Sequence, residues 1–233
     1  MTTLNQKTVH CPVCGNKEMF MEMFSTHSFG SPDLDFRSAK PARDFLSMTI
    51  HRCSKCGYSA SSSTFERPVS EDVKEFVLSN PDFLQKKSWR DDVAFENKAK
   101  IAVFQGDWNA AFHAYLHAAW ESEPQYFDEP SRYRNEALAI LKEHFAMLDI
   151  PEDSKYLVYA DLCRRTGDFE SVLALEYQSE DENVNRILAF QKKLAQLQDT
   201  CVYRLDTALS PEDEQNEAIR RMQNFVRVSN GLW

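Results

Sequence analysis

Two short stretches decide the fold: CPVCG at residues 11–15 and CSKCG at residues 53–57. Each places two cysteines three positions apart, with a glycine directly after the second cysteine. This spacing is typical of a tight turn in which both sulfur atoms face one point, and glycine accommodates a positive φ there. The sequence therefore predicts one four-cysteine metal site, formed by Cys11, Cys14, Cys53 and Cys56.

Zinc is the ion that suits such a site. Four thiolates around one Zn²⁺ form a closed tetrahedron with Zn–S bonds of about 2.3 Å, which leaves no open position for a substrate. We therefore expect a structural ion that supplies folding free energy to a small segment. His10 and His51 lie beside the pairs and are alternative ligands, although four cysteines suffice without them. A thioredoxin-like redox pair is not indicated, because no βαβ pattern accompanies the cysteines.

The chain around the cysteines predicts a small β-rich module, a zinc ribbon, over residues 1–67. Alternating apolar residues indicate strands at 17–24 and 44–53. The segment Gly30–Arg43 between them contains turn-forming residues and no periodicity, so it is predicted to be a loop. Four charged residues of this loop form either a functional cluster or salt-bridged supports of the loop itself: Asp33, Asp35, Arg37 and Arg43.

These stretches resemble a known bacterial family. CPVCG, FGSPDLDFR, PAR and RCSKCGYSA, in that order, are similar to domain-of-unknown-function family 2225, and QGDW and LCRRTGDF extend the resemblance to about residue 178. Ser38 stands where the resemblance implies a proline. The resemblance implies a zinc module with two Cys-x-x-Cys pairs, followed by a helical, tetratricopeptide-like region. It implies no reaction, because the family has no established activity.

Residues 68–233 have helical periodicity after a linker of small polar residues. Ser70 and the two acids after it predict the start of a helix that ends before Pro81. Ser210 and Pro211 predict the start of the last helix. Apolar residues at helical spacing predict the helices between them, at 95–103, 112–120, 138–148, 155–165, 169–177 and 187–197.

Two Gly-Asp-aromatic corners, at residues 106–108 and 167–169, resemble the turn inside a tetratricopeptide unit. They lie 61 residues apart, whereas regular repeats recur about every 34 residues. The sequence therefore predicts a mainly α protein, in which a small N-terminal β-rich zinc ribbon precedes a degenerate, tetratricopeptide-like array of helical hairpins. Loss of the metal is then expected to unfold residues 1–67 and to leave the helical content largely intact.

Charge and composition limit the possible partners. The chain has 233 residues and a net charge of −9, but residues 1–67 hold eight Lys/Arg against six Asp/Glu. The acidic remainder argues against a polyanion bound along the whole chain and leaves the N-terminal part open. No targeting segment or membrane-spanning run is evident, so we expect a cytoplasmic protein without a membrane partner. In that reducing compartment, paired cysteines are expected to be metal ligands.

The sequence favours some classes of function over others. No catalytic triad order, phosphate-binding Gly-rich loop or open metal site is evident, so an enzyme is the least favoured class. His113 and His117 are four residues apart without a third ligand, and we expect them to be structural. The leading expectation is a non-catalytic scaffold whose helical groove binds a protein or peptide partner. The alternative is nucleic-acid binding through residues 1–67. The sequence leaves the oligomeric state open.

Overall fold

A computed structural model describes residues 2–85, 91–123 and 129–229. The protein is mainly α-helical with a small β part at its N-terminal end, as predicted. The chain forms two compact units: unit 1 comprises Met1–Phe29 with Lys40–Asp149, and unit 2 comprises Gly30–Ala39 with Ile150–Trp233. Unit 1 thus groups the cysteine turns with the chain up to Asp149, and only Gly30–Ala39 of the loop between the cysteine pairs belongs to unit 2.

Two antiparallel hairpins carry the cysteine turns. Strands β1 (Thr3–His10) and β2 (Lys17–Ser25) pair along their whole length. The shorter β3 (Ile50–Arg52) and β4 (Ser59–Ser61) form the second hairpin. Each hairpin therefore places one Cys-x-x-Cys pair in the turn between its strands.

The prediction of a strand at residues 44–53 is wrong for most of that segment. A 3-10 helix occupies Ala42–Thr49, and only β3 at its end is extended. Leu46, Met48 and Ile50 alternate as in a strand, but Phe45 and Met48 are three residues apart, which suits the three-residue turn of a 3-10 helix. The hydroxyl of Thr49 donates to the Leu46 carbonyl at 2.7 Å and so closes the helix locally. Apolar periodicity over so short a segment did not separate the two structures.

The first helix of unit 1 begins where its capping residue predicts, and a side-chain cap also starts α4. Ser70 accepts a hydrogen bond from the Val73 N–H, and the Asp107 side chain accepts one from Ala110 at 2.9 Å. Gly106, with φ of 69°, forms the corner between two long helices that pack as a hairpin. The helices are α1 (Glu71–Ser79), α2 (Asp82–Gln85), α3 (Asp91–Gln105), α4 (Trp108–Ser122) and α5 (Glu129–Glu143), followed by a 3-10 turn at Phe145–Met147.

The described part of unit 2 has three long helices, of 15, 15 and 18 residues, and two short helices of five residues each. Asp168 accepts from the Ser171 N–H at 3.2 Å and starts a helix of only five residues, shorter than the predicted 169–177. The Ser210 hydroxyl donates to the Thr207 carbonyl at 2.8 Å, at the end of the preceding helix. The helices are α6 (Glu152–Thr166), α7 (Phe169–Leu173), α8 (Glu182–Gln196), α9 (Leu205–Leu209) and α10 (Glu212–Ser229).

A continuous apolar core in unit 1 joins the cysteine turns to the first helices. Phe65 lies at 1% exposure beside the turns. The helices contribute Val73 and Val77 from α1, Phe83 from α2 and Ile101 from α3 to the same cluster. The β part is therefore packed as one body with α1–α3. No helix in the described part of the chain is long and apolar enough to cross a membrane.

Candidate metal centre

The two hairpin turns bring the four predicted cysteines to one point. The Sγ atoms of Cys11, Cys14, Cys53 and Cys56 all lie within 4.8 Å of one another. Cys11 Sγ lies 3.6 Å from Cys56 Sγ, and Cys14 Sγ lies 3.6 Å from Cys53 Sγ. A tetrahedron with metal–sulfur bonds of about 2.3 Å has sulfur–sulfur edges of about 3.8 Å. The geometry therefore fits one tetrahedral ion, with two ligands from each turn.

Burial and backbone donors favour thiolates at this point. Cys53 is fully buried, Cys11 and Cys56 are 3% and 5% exposed, and Cys14 is partly exposed. The Cys11 sulfur accepts from the N–H of Cys14, and the Cys53 sulfur accepts from the N–H of Cys56. N–H donors aimed at sulfur stabilise the charged form that a metal ligand must adopt.

The crowded sulfur atoms strongly perturb one another. Hydrogen bonds with Cys11 and Cys56 lower the pKa of the Cys53 thiol. The hydrogen bond with Cys53 raises the pKa of Cys11 to about 12. Four neighbouring sulfurs cannot all ionise unless a cation offsets their mutual repulsion. The donor set therefore suits a soft or borderline divalent ion such as Zn²⁺.

A polar side chain from the first hairpin connects the two turns. The Glu18 carboxylate accepts from the backbone N–H of Ser54 at 2.9 Å and from the side-chain amide of Asn16. The same amide lies 3.9 Å from Cys53 Sγ. Burial raises the pKa of Glu18, and the nearby Cys53 sulfur raises it further. Glu18 thus holds the second turn against the first through its hydrogen bonds.

The second cysteine turn is also fixed to the helices of unit 1. The buried Asn97 side chain on α3 donates to the Gly57 carbonyl at 2.9 Å and to the Phe83 carbonyl at 3.1 Å. The Arg52 guanidinium donates to the same Phe83 carbonyl at 2.7 Å. Sequence reasoning missed Asn97 and Phe83 because they lie far from the cysteines along the chain and belong to no recognisable motif.

The two neighbouring histidines lie outside the sulfur cluster. His10 is 64% exposed at its side chain and lies 3.9 Å from Glu66. His51 is 1% exposed and stacks on Phe20, with ring centroids 4.2 Å apart. Neither His51 ring nitrogen has a hydrogen-bond partner, and burial lowers its pKa. The described residues hold one converging His/Cys/Asp/Glu group, and it contains the four cysteines alone.

The four charged loop residues belong to different units. Asp33, Asp35 and Arg37 are buried in unit 2, at 3%, 1% and 8% exposure, whereas Arg43 lies in the 3-10 helix of unit 1. Asp35 accepts from the Arg37 N–H at 3.2 Å and lies 3.9 Å from the Arg165 guanidinium.

The loop also pairs with the chain near residue 204. The Leu34 N–H donates to the Tyr203 carbonyl, and the Leu205 N–H donates to the Pro32 carbonyl, each at 2.9 Å. Asp206 N–H donates to the Ser31 hydroxyl at 3.0 Å. These contacts fix the loop to the segment at residues 203–206 within unit 2. The role of its buried charges, as supports of the loop or as a functional cluster, stays a prediction.

His113 and His117 lie on α4, with ring centroids 6.4 Å apart. His117 packs edge-on against Phe95 and beside Trp120. Burial lowers the pKa of His113, and it lowers the pKa of His117 to about 3. Both rings are therefore neutral packing groups near neutral pH, and no third ligand converges on them among the described residues.

Comparison with known proteins identifies a family for the chain. A family model described as "Uncharacterized protein conserved in bacteria (DUF2225)" matches residues 4–201, which include both cysteine turns, the loop and both Gly-Asp corners. No curated protein and no solved structure matches the chain. Since the match spans most of the sequence, the chain belongs to the DUF2225 family of uncharacterised bacterial proteins.

Proposed function

We propose that Cys11, Cys14, Cys53 and Cys56 bind one structural Zn²⁺. The observation that carries this proposal is the convergence of all four Sγ atoms within 4.8 Å inside a packed core. A bound ion would cross-link the two hairpin turns. The chain's own contribution is to bury the sulfurs, to donate N–H groups to them and to exclude water. A reducing cytoplasm, the expected location, would keep the thiols available for metal.

Metal analysis of the purified full chain tests this assignment. We expect about one zinc per chain and the visible absorption of a tetrahedral thiolate site after exchange with Co²⁺. Cys56→Ser should lose the metal, whereas the control Cys201→Ser, in unit 2, should retain it. Retention of zinc by Cys56→Ser, with unchanged stability, would contradict the four-thiolate site.

We further propose that the protein is a non-catalytic scaffold whose helical surface binds a protein or peptide partner. The closed sulfur site supports this class, because an ion held by four thiolates has no position for a substrate. The tetratricopeptide-like corners at Gly106 and Gly167, each followed by an aspartate cap, support it as well. Helical hairpins of this kind present grooves to extended or helical segments.

Nucleic-acid binding is the alternative, and the placement of the basic residues supports it less well. Arg37 is 8% exposed, in unit 2, and Arg52 is committed to the Phe83 carbonyl. Lys40 and Lys55 remain exposed. Useful affinity for a polyanion usually needs several phosphate contacts.

Capture of cross-linked partners from bacterial lysate distinguishes a protein-binding scaffold from a nucleic-acid-binding protein. The bait is the metal-loaded full chain, and the capture is run with and without nuclease. The scaffold is supported if a protein partner is still captured after nuclease treatment and if an excess of the unlabelled full chain displaces it. Labelled DNA and RNA are titrated in parallel at low salt. Tight binding that falls steeply with salt, together with capture lost on nuclease treatment, would overturn the scaffold in favour of nucleic acid.

A further inference from the structure

Strand β1 in unit 1 has one edge that bonds β2 and a second edge that faces away from it. Along an antiparallel strand, the N–H and C=O groups of successive residues point alternately to the two edges. The Cys11 N–H donates to the Asn16 carbonyl across the turn at 2.8 Å. Because the directions alternate, Val9, Lys7 and Asn5 also bond β2. The main-chain groups of the residues between them point to the outer edge of β1.

The outer edge of β1 is bounded at both ends. At one end, the outward N–H of His10 donates to the Glu66 carboxylate at 3.1 Å. At the other end, the register with β2 shifts between Thr3 and Leu4. The residues with outward groups inside these limits are Leu4, Gln6 and Thr8. In the described part of the chain, no hydrogen bond reaches the outward N–H and C=O groups of these three residues.

This edge lacks the features that usually prevent strand pairing, which are charged side chains, proline and a covering segment. The side chains of Leu4, Gln6 and Thr8 are exposed and uncharged, and β1 contains no proline. Its lysine, Lys7, pairs with Glu66 at 3.1 Å. A row of main-chain donors and acceptors is complementary to another extended strand, so the occupant of this edge is a β-strand.

The available row is symmetric about Gln6, which suits a second copy of the same strand. When two β1 strands pair antiparallel about a two-fold axis at Gln6, Leu4 of each copy lies opposite Thr8 of the other. Each such pair exchanges two hydrogen bonds, so every outward group of the row is satisfied. A register shifted by two residues would instead use His10, whose N–H is already bonded to Glu66.

Charge also permits this pairing. In the register centred on Gln6, Lys7 lies opposite Asn5 of the second copy, so no like charges face each other across the strands. Residues 1–29 hold two lysines and two glutamates. The two hairpins therefore meet without repulsion from their own net charge, although the whole chain carries −9.

We propose that two copies of this chain associate through their β1 strands, paired antiparallel about a two-fold axis at Gln6. The pairing joins the two hairpins into one larger sheet, and an isolated two-stranded hairpin is only marginally stable. Dimerisation through β1 does not depend on the scaffold function proposed above.

Sedimentation equilibrium of the metal-loaded full chain measures this association. We expect the 27.0 kDa chain to dimerise at micromolar concentrations. Gln6→Pro removes one outward N–H and leaves the bonds to β2 in place, because an edge strand tolerates proline there. It should weaken the dimer at least about tenfold. The matched control Gln6→Thr keeps the N–H and should alter the dissociation constant less than about threefold.

Two charge variants test the register without proline. Leu4→Lys combined with Thr8→Lys places like charges opposite each other across the two-fold axis, whereas Leu4→Lys combined with Thr8→Glu places opposite charges there. We expect the second variant to dimerise at least about tenfold more tightly than the first at low salt. Net charge alone would act in the other direction, because added lysines reduce the −9 of each chain.

Hydrogen exchange provides an independent measurement. The outward amides of Leu4, Gln6 and Thr8 should exchange more slowly as the protein concentration rises, since dimerisation gives them acceptors. Exchange that slows only when other proteins are added would assign the edge to a different partner and would overturn the self-association.

Two further results would overturn the proposal. The first is a native chain that stays monomeric at every concentration measured. The second is a dimer that is equally stable in Gln6→Pro and in both charge variants, because its contact then lies on another surface. Circular dichroism and zinc content verify that each variant is folded. If Gln6→Pro does not fold, the two charge variants decide the question, since both of their positions are exposed in the single chain.

Discussion

Substitution of Gly57 by alanine tests how closely the second cysteine turn packs on α2. Gly57 has φ of 75°, and a Cβ at this position would lie 2.4 Å from the Phe83 carbonyl oxygen and 2.7 Å from its carbon. Backbone atoms do not yield as a flexible side chain does. The Phe83 carbonyl is further held by donors from Arg52 and Asn97. Alanine must therefore displace either the turn or α2.

The magnitude follows from comparison with the equivalent glycine of the first turn. Gly15 has a similar φ of 70°, but a Cβ there meets no atom within 4 Å. Gly15→Ala should therefore cost only the left-handed backbone penalty, about 1–2 kcal/mol. Gly57→Ala carries the same penalty and adds overpacking of about 1–3 kcal/mol, together with strain on the Asn97 hydrogen bonds. We expect a total loss of about 3–5 kcal/mol in the free energy of unfolding.

Urea unfolding of both metal-loaded variants measures the difference, and competition with a chromophoric chelator measures metal retention. We expect Gly57→Ala to release the metal at a lower chelator concentration than Gly15→Ala, because the displaced turn holds Cys53 and Cys56. Equal losses in the two variants would refute the reasoning. They would show that the second turn does not pack on α2 as closely as the structure indicates.

Three further substitutions test buried polar groups. His51→Phe should raise the free energy of unfolding, measured in urea, by about 1 kcal/mol. The substitution removes two buried ring nitrogens that lack hydrogen-bond partners, and it keeps an aromatic ring stacked on Phe20. A loss of stability would contradict this. Asp35→Asn should cost about 2 kcal/mol by removing the buried negative charge that accepts from the Arg37 N–H and lies 3.9 Å from the Arg165 guanidinium, whereas the control Asp44→Asn, at a half-exposed carboxylate, should cost less than about 0.5 kcal/mol. The pKa of His117 falls from 6.5 to about 3 on folding, through burial and the nearby Lys98 and His113. The unfolded chain therefore binds the extra proton, and stability falls as the pH drops below about 6.5, by about 2 kcal/mol at about pH 5. His117→Gln should remove that part of the pH dependence, and an unchanged pH profile would count against it.

Local sequence patterns predicted the features of this protein that are determined by residues close together along the chain. The Cys-x-x-Cys spacing fixes the geometry of each turn, so the four sulfurs were identified correctly as one cluster. Capping residues act within one helical turn, so Ser70 marked the start of α1 correctly. Apolar spacing placed α3 and α4, whose buried faces include Phe95 and Phe112.

The features that sequence reasoning missed depend on contacts between distant segments. The loop between the cysteine pairs joins unit 2 through hydrogen bonds from Leu34 to Tyr203 and from Leu205 to Pro32, about 170 residues along the chain. Nothing in the local composition of the loop marks that partner. Likewise, Asn97 is an ordinary polar residue in the sequence, yet it is 1% exposed and bonds both Gly57 and Phe83.

The shared core changes the expected consequence of metal loss. From the sequence, removal of the ion should unfold residues 1–67 and spare the helices. In the structure, Val73, Val77 and Ile101 pack in the same cluster as Cys11, Cys53 and Cys56, and a single packed core tends to unfold cooperatively. Cys56→Ser or chelation should therefore also reduce the helical circular dichroism signal, through α1–α3. Full retention of that signal after complete metal loss would show that the cysteine turns melt independently and that the ion does not stabilise the helices.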